Sequence, residues 1–176
     1  MKRPLLLTIA SLFIANAALA DHIGIYSDVT GSSCNLSGAA YTETTAIIHK
    51  FAVGASASRF RVDHSAATGI IIVGLAVPNP SVPVGSIETD MEVIYGSCRT
   101  GSVLVGNLQI LWLSGPAGTL SVVKPQLFPT VTWFDCANLD HAATGGHATI
   151  GGSNSNCGEP TPVEASTWGL VKALYR

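Results

Sequence analysis

Ser58-Arg59-Phe60-Arg61-Val62-Asp63 alternates polar and apolar residues, and Ile87-Glu88-Thr89-Asp90-Met91-Glu92-Val93 does so again. A period of two belongs to extended chain, in which successive side chains point to opposite faces. Read as strands, the first run puts Arg59, Arg61 and Asp63 on one face, with Phe60, Val62 and His64 on the other. The second gathers Glu88, Asp90 and Glu92 opposite Ile87, Thr89, Met91 and Val93. Each run thus offers one face to bury and one that carries much of the chain's scarce charge. If the two are neighbours in a sheet, opposite charges across strands contribute about 0.2–1 kcal/mol each and help to set register.

The same texture extends in both directions. His22 to Ser27, Thr44 to Val53, Ser58 to His64, Gly69 to Val77, Ser86 to Tyr95, Ser102 to Leu113, Thr119 to Val123, Thr130 to Cys136 and His147 to Gly151 read as strands, bounded by Gly, Pro, Asn and Ser. Helical periodicity is nearly absent, so crossover helices have no place to sit. The expected architecture is all-β, an antiparallel β-sandwich or jelly roll. Pro78-Asn79-Pro80-Ser81-Val82-Pro83 must be a loop or a sheet edge, because its prolines lack backbone donors. Gly145-Gly146 reads as a turn, and the Gly151-Gly152 stretch as a loop closing the domain.

Both ends depart from this pattern. Residues 1–20 have the layout of a secretory signal: Lys2 and Arg3, an apolar run from Leu5 to Ile14, and Ala18-Leu19-Ala20 as a small-x-small cleavage site. Cleavage after Ala20 makes Asp21 the first mature residue, which predicts a secreted or periplasmic protein with no membrane span once the signal is gone. The expected domain covers residues 21–160. The whole chain has nine Lys and Arg and eleven Asp and Glu, a net charge of −2. Removing the signal leaves seven basic against eleven acidic residues, or −4. That balance argues against nucleic acid as a partner, since recognition of phosphate backbones needs clustered cations.

Residues 161–176 form a third region, a Pro-containing linker and an amphipathic tail. Ser166 or Thr167 can cap a helix in which Leu170, Val171, Leu174 and Tyr175 share one side, away from Lys172 and Arg176. So short a helix needs a surface to dock on. Trp168, Val171, Leu174 and Tyr175 are therefore candidate docking residues, on this domain or on something else.

Cys34, Cys98, Cys136 and Cys157 are an even set downstream of an export signal, which reads as two disulfides. Three connectivities are open. Cys136 with Cys157 is favoured because the two flank an expected hairpin, leaving Cys34 with Cys98. No C-x-x-C pair supports zinc.

Signatures of chemistry are sparse. Asp28-Val29-Thr30-Gly31 lacks the directly adjacent Asp and Thr of an aspartic-protease loop, has no second copy, and reads as a turn closed on Asp28. Ser121-Val122-Val123-Lys124 matches S-x-x-K in letters alone, without the accompanying motifs. His22, His49 and His64 are scattered among strands, and His141 and His147 flank the Gly145-Gly146 pair. None of these sets has the three or four converging ligands of a transition-metal site. Glu88, Asp90 and Glu92 stand about 7 Å apart along a strand, too far to hold one calcium ion unaided. Asn35-Leu36-Ser37 is a glycosylation sequon. No cofactor motif occurs, and no metal or catalytic set assembles. Carboxylates from Glu88, Asp90, Glu92 or Asp135 could still hydrolyse glycosides if held about 5–9.5 Å apart.

Several stretches carry a resemblance: Asp28-x-x-Gly31-x-x-Cys34, Ile48-His49-Lys50-Phe51, Tyr95-Gly96-Ser97-Cys98, Asn156-Cys157-Gly158, and the ending from Val163-Glu164 through Thr167-Trp168-Gly169, Val171-Lys172 and Leu174-Tyr175-Arg176. Together they resemble small secreted proteins of environmental bacteria, a group that lends no established activity. The strand order is more distantly similar to cohesin-type and immunoglobulin-like sandwiches, which implies binding without catalysis. The expected function is a secreted, non-catalytic β-sandwich that binds protein or glycan at the cell surface, or associates with itself. The charged face of Arg59, Arg61, Asp63, Glu88, Asp90 and Glu92 is a candidate contact surface. Two alternatives are a secreted hydrolase of polysaccharide or peptide, and an exported protein whose tail is a removable sorting or docking signal.

Overall fold

The computed structural model describes residues 21–38, 42–113, 117–153 and 156–159. The signal, the linker, the expected helix and Trp168, Val171, Leu174 and Tyr175 lie outside the described residues. Ten strands and no helix occur among them: β1 (His22–Tyr26), β2 (Asn35–Leu36), β3 (Thr42–Asp63), β4 (Ile70–Ala76), β5 (Val82–Ser86), β6 (Asp90–Trp112), β7 (Gly118–Val123), β8 (Val131–Asp135), β9 (Asp140–Gly145) and β10 (His147–Ile150).

Two long strands, β3 and β6, run antiparallel along most of their length and form the spine. One edge of β6 takes β3, and the other takes β5 at one end and β4 at the other. The opposite flank of β3 meets β1 at residues 46–50, β8 at residues 55–59 and β7 at residues 61–63. Through that last stretch β3 passes into a second set of strands, in which β7 pairs with β10 and β10 with β2. The architecture is the expected all-β sandwich. Its pairings are antiparallel except for β1 with β9 and β2 with β10, which are short and parallel.

The alternation that identifies the strands also selects the core. Phe60 and Val62 are buried, as are Met91, Val93 and Tyr95 from β6 and Leu120 and Val122 from β7. They join Ile23, Ile25, Ile47, Val105, Leu108, Ile110, Ala148 and Ile150 in one cluster. Burying each large apolar side chain stabilises the fold by about 1.5–3 kcal/mol relative to exposure.

Four expectations need correction. Thr44 to Val53 and Ser58 to His64 are one strand, and β6 continues through Gly96 and Gly101. Gly54, Gly96 and Gly101 have φ of 75°, 72° and 80°, and they accompany shifts of the β3–β6 register. Glycine there makes bulges that bend a strand, where the sequence reads as if it broke. Second, Ser86 to Tyr95 is not one strand. Ile87-Glu88-Thr89 is a tight turn joining β5 to β6, closed by Thr89 N–H donating to Ser86 O at 3.2 Å. Gly85 permits it, since a Cβ there would sit 2.0 Å from Asp90 O.

Third, β9 is a strand without an apolar face, and five of its six residues are exposed. Backbone pairing to β8 and β1 makes it, which alternation cannot reveal. Gly145-Gly146 is then no hairpin turn. It is where the chain crosses from β1 to β7, with Gly146 N–H donating to Ile23 O and Val122 N–H donating to Gly146 O, both at 2.8 Å. A Cβ on Gly145 would lie 2.0 Å from Val122 O.

The crossing explains the fourth correction. Cys136 and Cys157 do not flank a hairpin, and they do not pair. The disulfides are Cys34–Cys157 and Cys98–Cys136, with Cα separations of 5.5 and 5.7 Å. Cys157 follows β10 into the second strand set beside Cys34, which precedes β2. Cys136 follows directly on β8, next to the bulged part of β6 that carries Cys98.

Candidate functional site

Three features of the described chain could carry function: a charged patch, a buried polar cluster and an apolar sheet margin. In the charged patch, Arg59 of β3 faces Glu92 of β6 in register. Its Nε donates to Glu92 Oε2 at 2.9 Å, and its guanidinium carbon lies 4.1 Å from the Phe128 ring centre and 4.7 Å from that of Phe134. A cation held between two aromatic faces and a carboxylate is fixed in position.

Arg61 donates to Lys124 O at 3.1 Å and lies 3.6 Å from Asp63. Asp90 accepts from Leu127 N–H at 3.4 Å. Because Glu88 sits in the β5–β6 turn, it leaves the Asp90 and Glu92 stripe and meets His64 at 3.3 Å instead. Asp135, the remaining candidate acid, accepts Ala137 and Leu139 N–H at 2.8 and 2.9 Å and His141 Nε2 at 3.0 Å. Hydrogen bonding from Leu139 and His141 lowers its pKa. The four carboxylates thus serve separate local contacts. Asp90 and Glu92 share a depression of about 200 Å³ beside Arg59 and Phe128.

Asp28 closes a turn, accepting from Thr30 N–H at 2.8 Å, Ser33 N–H at 3.1 Å and the hydroxyls of Thr30 and Ser32. These bonds, led by Thr30, hold its carboxyl well below the usual carboxylate range. Glu159 is bonded by Lys50 and by Tyr26, the latter at 2.9 Å, and the Lys50 ammonium lies 4.4 Å from the Tyr26 ring centre. Burial opposes the Glu159 charge, but the Lys50 and Tyr26 hydrogen bonds outweigh it and lower the pKa.

The buried cluster has no signal in the sequence. His49 Nε2 meets Asp21 Oδ1 at 3.0 Å, and its Nδ1 meets Ser58 Oγ at 3.2 Å and Tyr95 OH at 3.3 Å. Ser58 and Tyr95 also hydrogen-bond to each other. A serine, a histidine and an aspartate in contact resemble hydrolytic machinery, yet Ser58 and His49 are wholly buried and Tyr95 fills the space beside the hydroxyl. Their contacts satisfy polar groups across the β1, β3 and β6 layer. Burial lowers the pKa of His49 against the pull of Asp21. The residues are 28, 9 and 46 positions apart in pairs, and only folding brings them together.

The apolar margin lies on β4 and β5. Each pairs with β6 on one side and with no other described strand. Ile71 and Val73 on β4 are 49% and 60% exposed, and Val82 and Val84 on β5 are 53% and 52% exposed. Ile94 of β6, opposite Val82, extends the patch. Pro83 lies on β5, at the edge as the absence of its N–H requires.

Among the described residues no group of three or more His, Cys, Asp or Glu is placed to hold a metal ion, and no helix is long and apolar enough to cross a membrane. No protein-family model matches the chain. No curated sequence matches it either. The fold does have a solved counterpart. A chain in the crystal structure of a complex of a CaDoc0917 variant with CaCohA2 at pH 5.5 superposes with a TM-score of 0.51 and 9% sequence identity, covering 74% of this chain and 96% of that one. The fold is cohesin-like. At that identity the likeness concerns the path of the backbone, and no contact residue carries over.

Proposed function

We propose that this chain is an exported, protein-binding β-sandwich whose contact surface is the β4–β5 margin. The observation that carries the reading is the pair of edge strands with open backbone edges and exposed Ile71, Val73, Val82 and Val84. Native sheets blunt their edges with charge, proline, bulges or cover; Pro83 on β5 and the bulge between Ile72 and Gly74 on β4 interrupt this margin, and the uncharged β-branched stretches beside them remain a template for another strand. The cohesin-like fold agrees with this reading, because its neighbour was solved as a complex. Two disulfides agree with an oxidising compartment, and the layout of residues 1–20 supplies the export signal. In that reading the Trp168 to Arg176 tail is a docking or sorting element.

Two Lys substitutions, Val73→Lys and Val84→Lys, test the margin. Light scattering on the mature wild type over a wide concentration range should show association, either with a second copy or with a defined envelope protein, that the double variant weakens at least about tenfold. A wild type that stays monomeric, and that retains no partner the variant fails to retain, overturns the reading.

A further inference from the structure

The margin is interrupted, and the interruption is a site. β5 pairs with residues 90–94 of β6 and β4 with residues 107–112, so neither strand covers residues 95–106 on that side. The β4–β5 connection crosses this gap through a turn in which Ser81 N–H donates to Pro78 O at 2.7 Å. Pro80 presses against Gly96, where a Cβ would come within 3.0 Å of the proline ring. Behind the gap, Cys98–Cys136 fastens the bulged stretch of β6 to the end of β8. The result is a cleft of about 290 Å³. That volume is near the lower end of small-ligand pockets, roughly 300–1,000 Å³.

The lining has a definite chemistry. Asn79, Ser81, Thr100 and Ser102 bring amide and hydroxyl groups that both donate and accept. Val103 and Leu104 add apolar surface. No Asp or Glu lines the cleft, and its one ionic residue is Arg99. Lys50, Arg59 and Arg61 are all held by hydrogen bonds, whereas Arg99 has no hydrogen-bond or ion-pair partner among the described residues. A single guanidinium fork without acidic company matches one carboxylate, and a ring of amphoteric groups matches a polyhydroxyl ligand with an apolar face.

We propose that the cleft between β4 and β5 binds a carboxylate-bearing sugar of the hexuronate type, with Arg99 receiving the carboxylate and Asn79, Ser81, Thr100 and Ser102 meeting the hydroxyls. This site does not depend on strand pairing at the margin, and its variants differ from those that test the margin.

The probes are galacturonate and its short oligomers, with galactose and a Glu-containing tetrapeptide as controls, titrated by calorimetry and by amide chemical-shift mapping into mature, oxidised protein. Galacturonate should saturate the protein, move the amide resonances of Asn79, Ser81 and residues 99–104, and weaken with added salt. R99Q should lose at least about tenfold in affinity and R99K less, the loss expected for one charge-assisted contact. Melting temperatures of both variants should match the wild type, because Arg99 is exposed and its side chain has no hydrogen-bond or ion-pair partner among the described residues. Galactose should bind at least about tenfold more weakly than galacturonate. Absence of saturation by any uronate, unchanged affinity in R99Q, or tighter binding of the tetrapeptide than of the sugar would each overturn the proposal.

Discussion

The two sides of β6 are built differently. On one side the strand is joined to β3 over nearly its whole length, and the side chains beneath that ladder, Phe60, Val93, Tyr95, Val105 and Leu108, are buried. On the other side two short strands share the edge, leave a gap between them and display Ile71, Val73, Val82 and Val84. The same residue types build both sides. Where a second layer covers them they supply stability, and where none does they supply surface, so burial and not composition separates scaffold from contact region.

Mutation should expose that difference. Phe60→Ala removes a fully buried ring from the closed side and should cost about 3–5 kcal/mol, read as a lower urea midpoint with an unchanged slope. A cost below about 1 kcal/mol would place Phe60 outside the cooperative core.

Acid should act on the closed side next. Burial lowers the His22 pKa from 6.5 to about 4, and it lowers that of His49 as well. The folded protein holds these rings neutral while the unfolded chain protonates them near 6.5, so the unfolded state binds more protons below that pH. Stability should be complete above about pH 6.5 and fall as pH drops toward about 4. Asp28 and Glu159 extend the loss below the ordinary carboxylate range, since their folded pKa values are lowered. Urea midpoints across this range test the sign, and His22→Gln should flatten the upper part of the curve. A midpoint that rises on acidification would refute the assignment.

The smallest effect belongs to the open side. Val73→Lys should change stability by less than about 0.5 kcal/mol while altering association. A large loss of stability would mean that β4 is covered in solution.

The alternating runs were sufficient to read the sandwich and its inner face, because period-two patterning and burial are one physical fact seen twice. Phe60 with Val62, and Met91 with Val93, point inward as their spacing requires. What escaped the sequence was set by backbone geometry. Gly54, Gly96 and Gly101 bend strands that their composition marks as ending, and β9 exists through hydrogen bonds that leave no apolar trace. Cysteine pairing depended on where the chain crosses at Gly145-Gly146, which local reasoning about a hairpin could not locate. The charged residues were visible but their grouping was not: one turn at Ile87-Glu88-Thr89 separates Glu88 from Asp90 and Glu92. The Asp21, His49, Ser58 and Tyr95 cluster and the cleft at Arg99 both depend on residues distant in the chain.

The Cys34–Cys157 bond has a mechanical consequence. Force applied between Asp21 and Glu159 travels through β1, crosses the sulfur bridge and leaves within two residues, so the covalent path bypasses everything from residue 35 to residue 156. Stretching the oxidised protein by those points would lengthen the chain by the short outer segments alone; β3 and β9 would feel the load only through their hydrogen bonds to β1, and residues 35–156 could not be drawn out until a reductant opened the bridge.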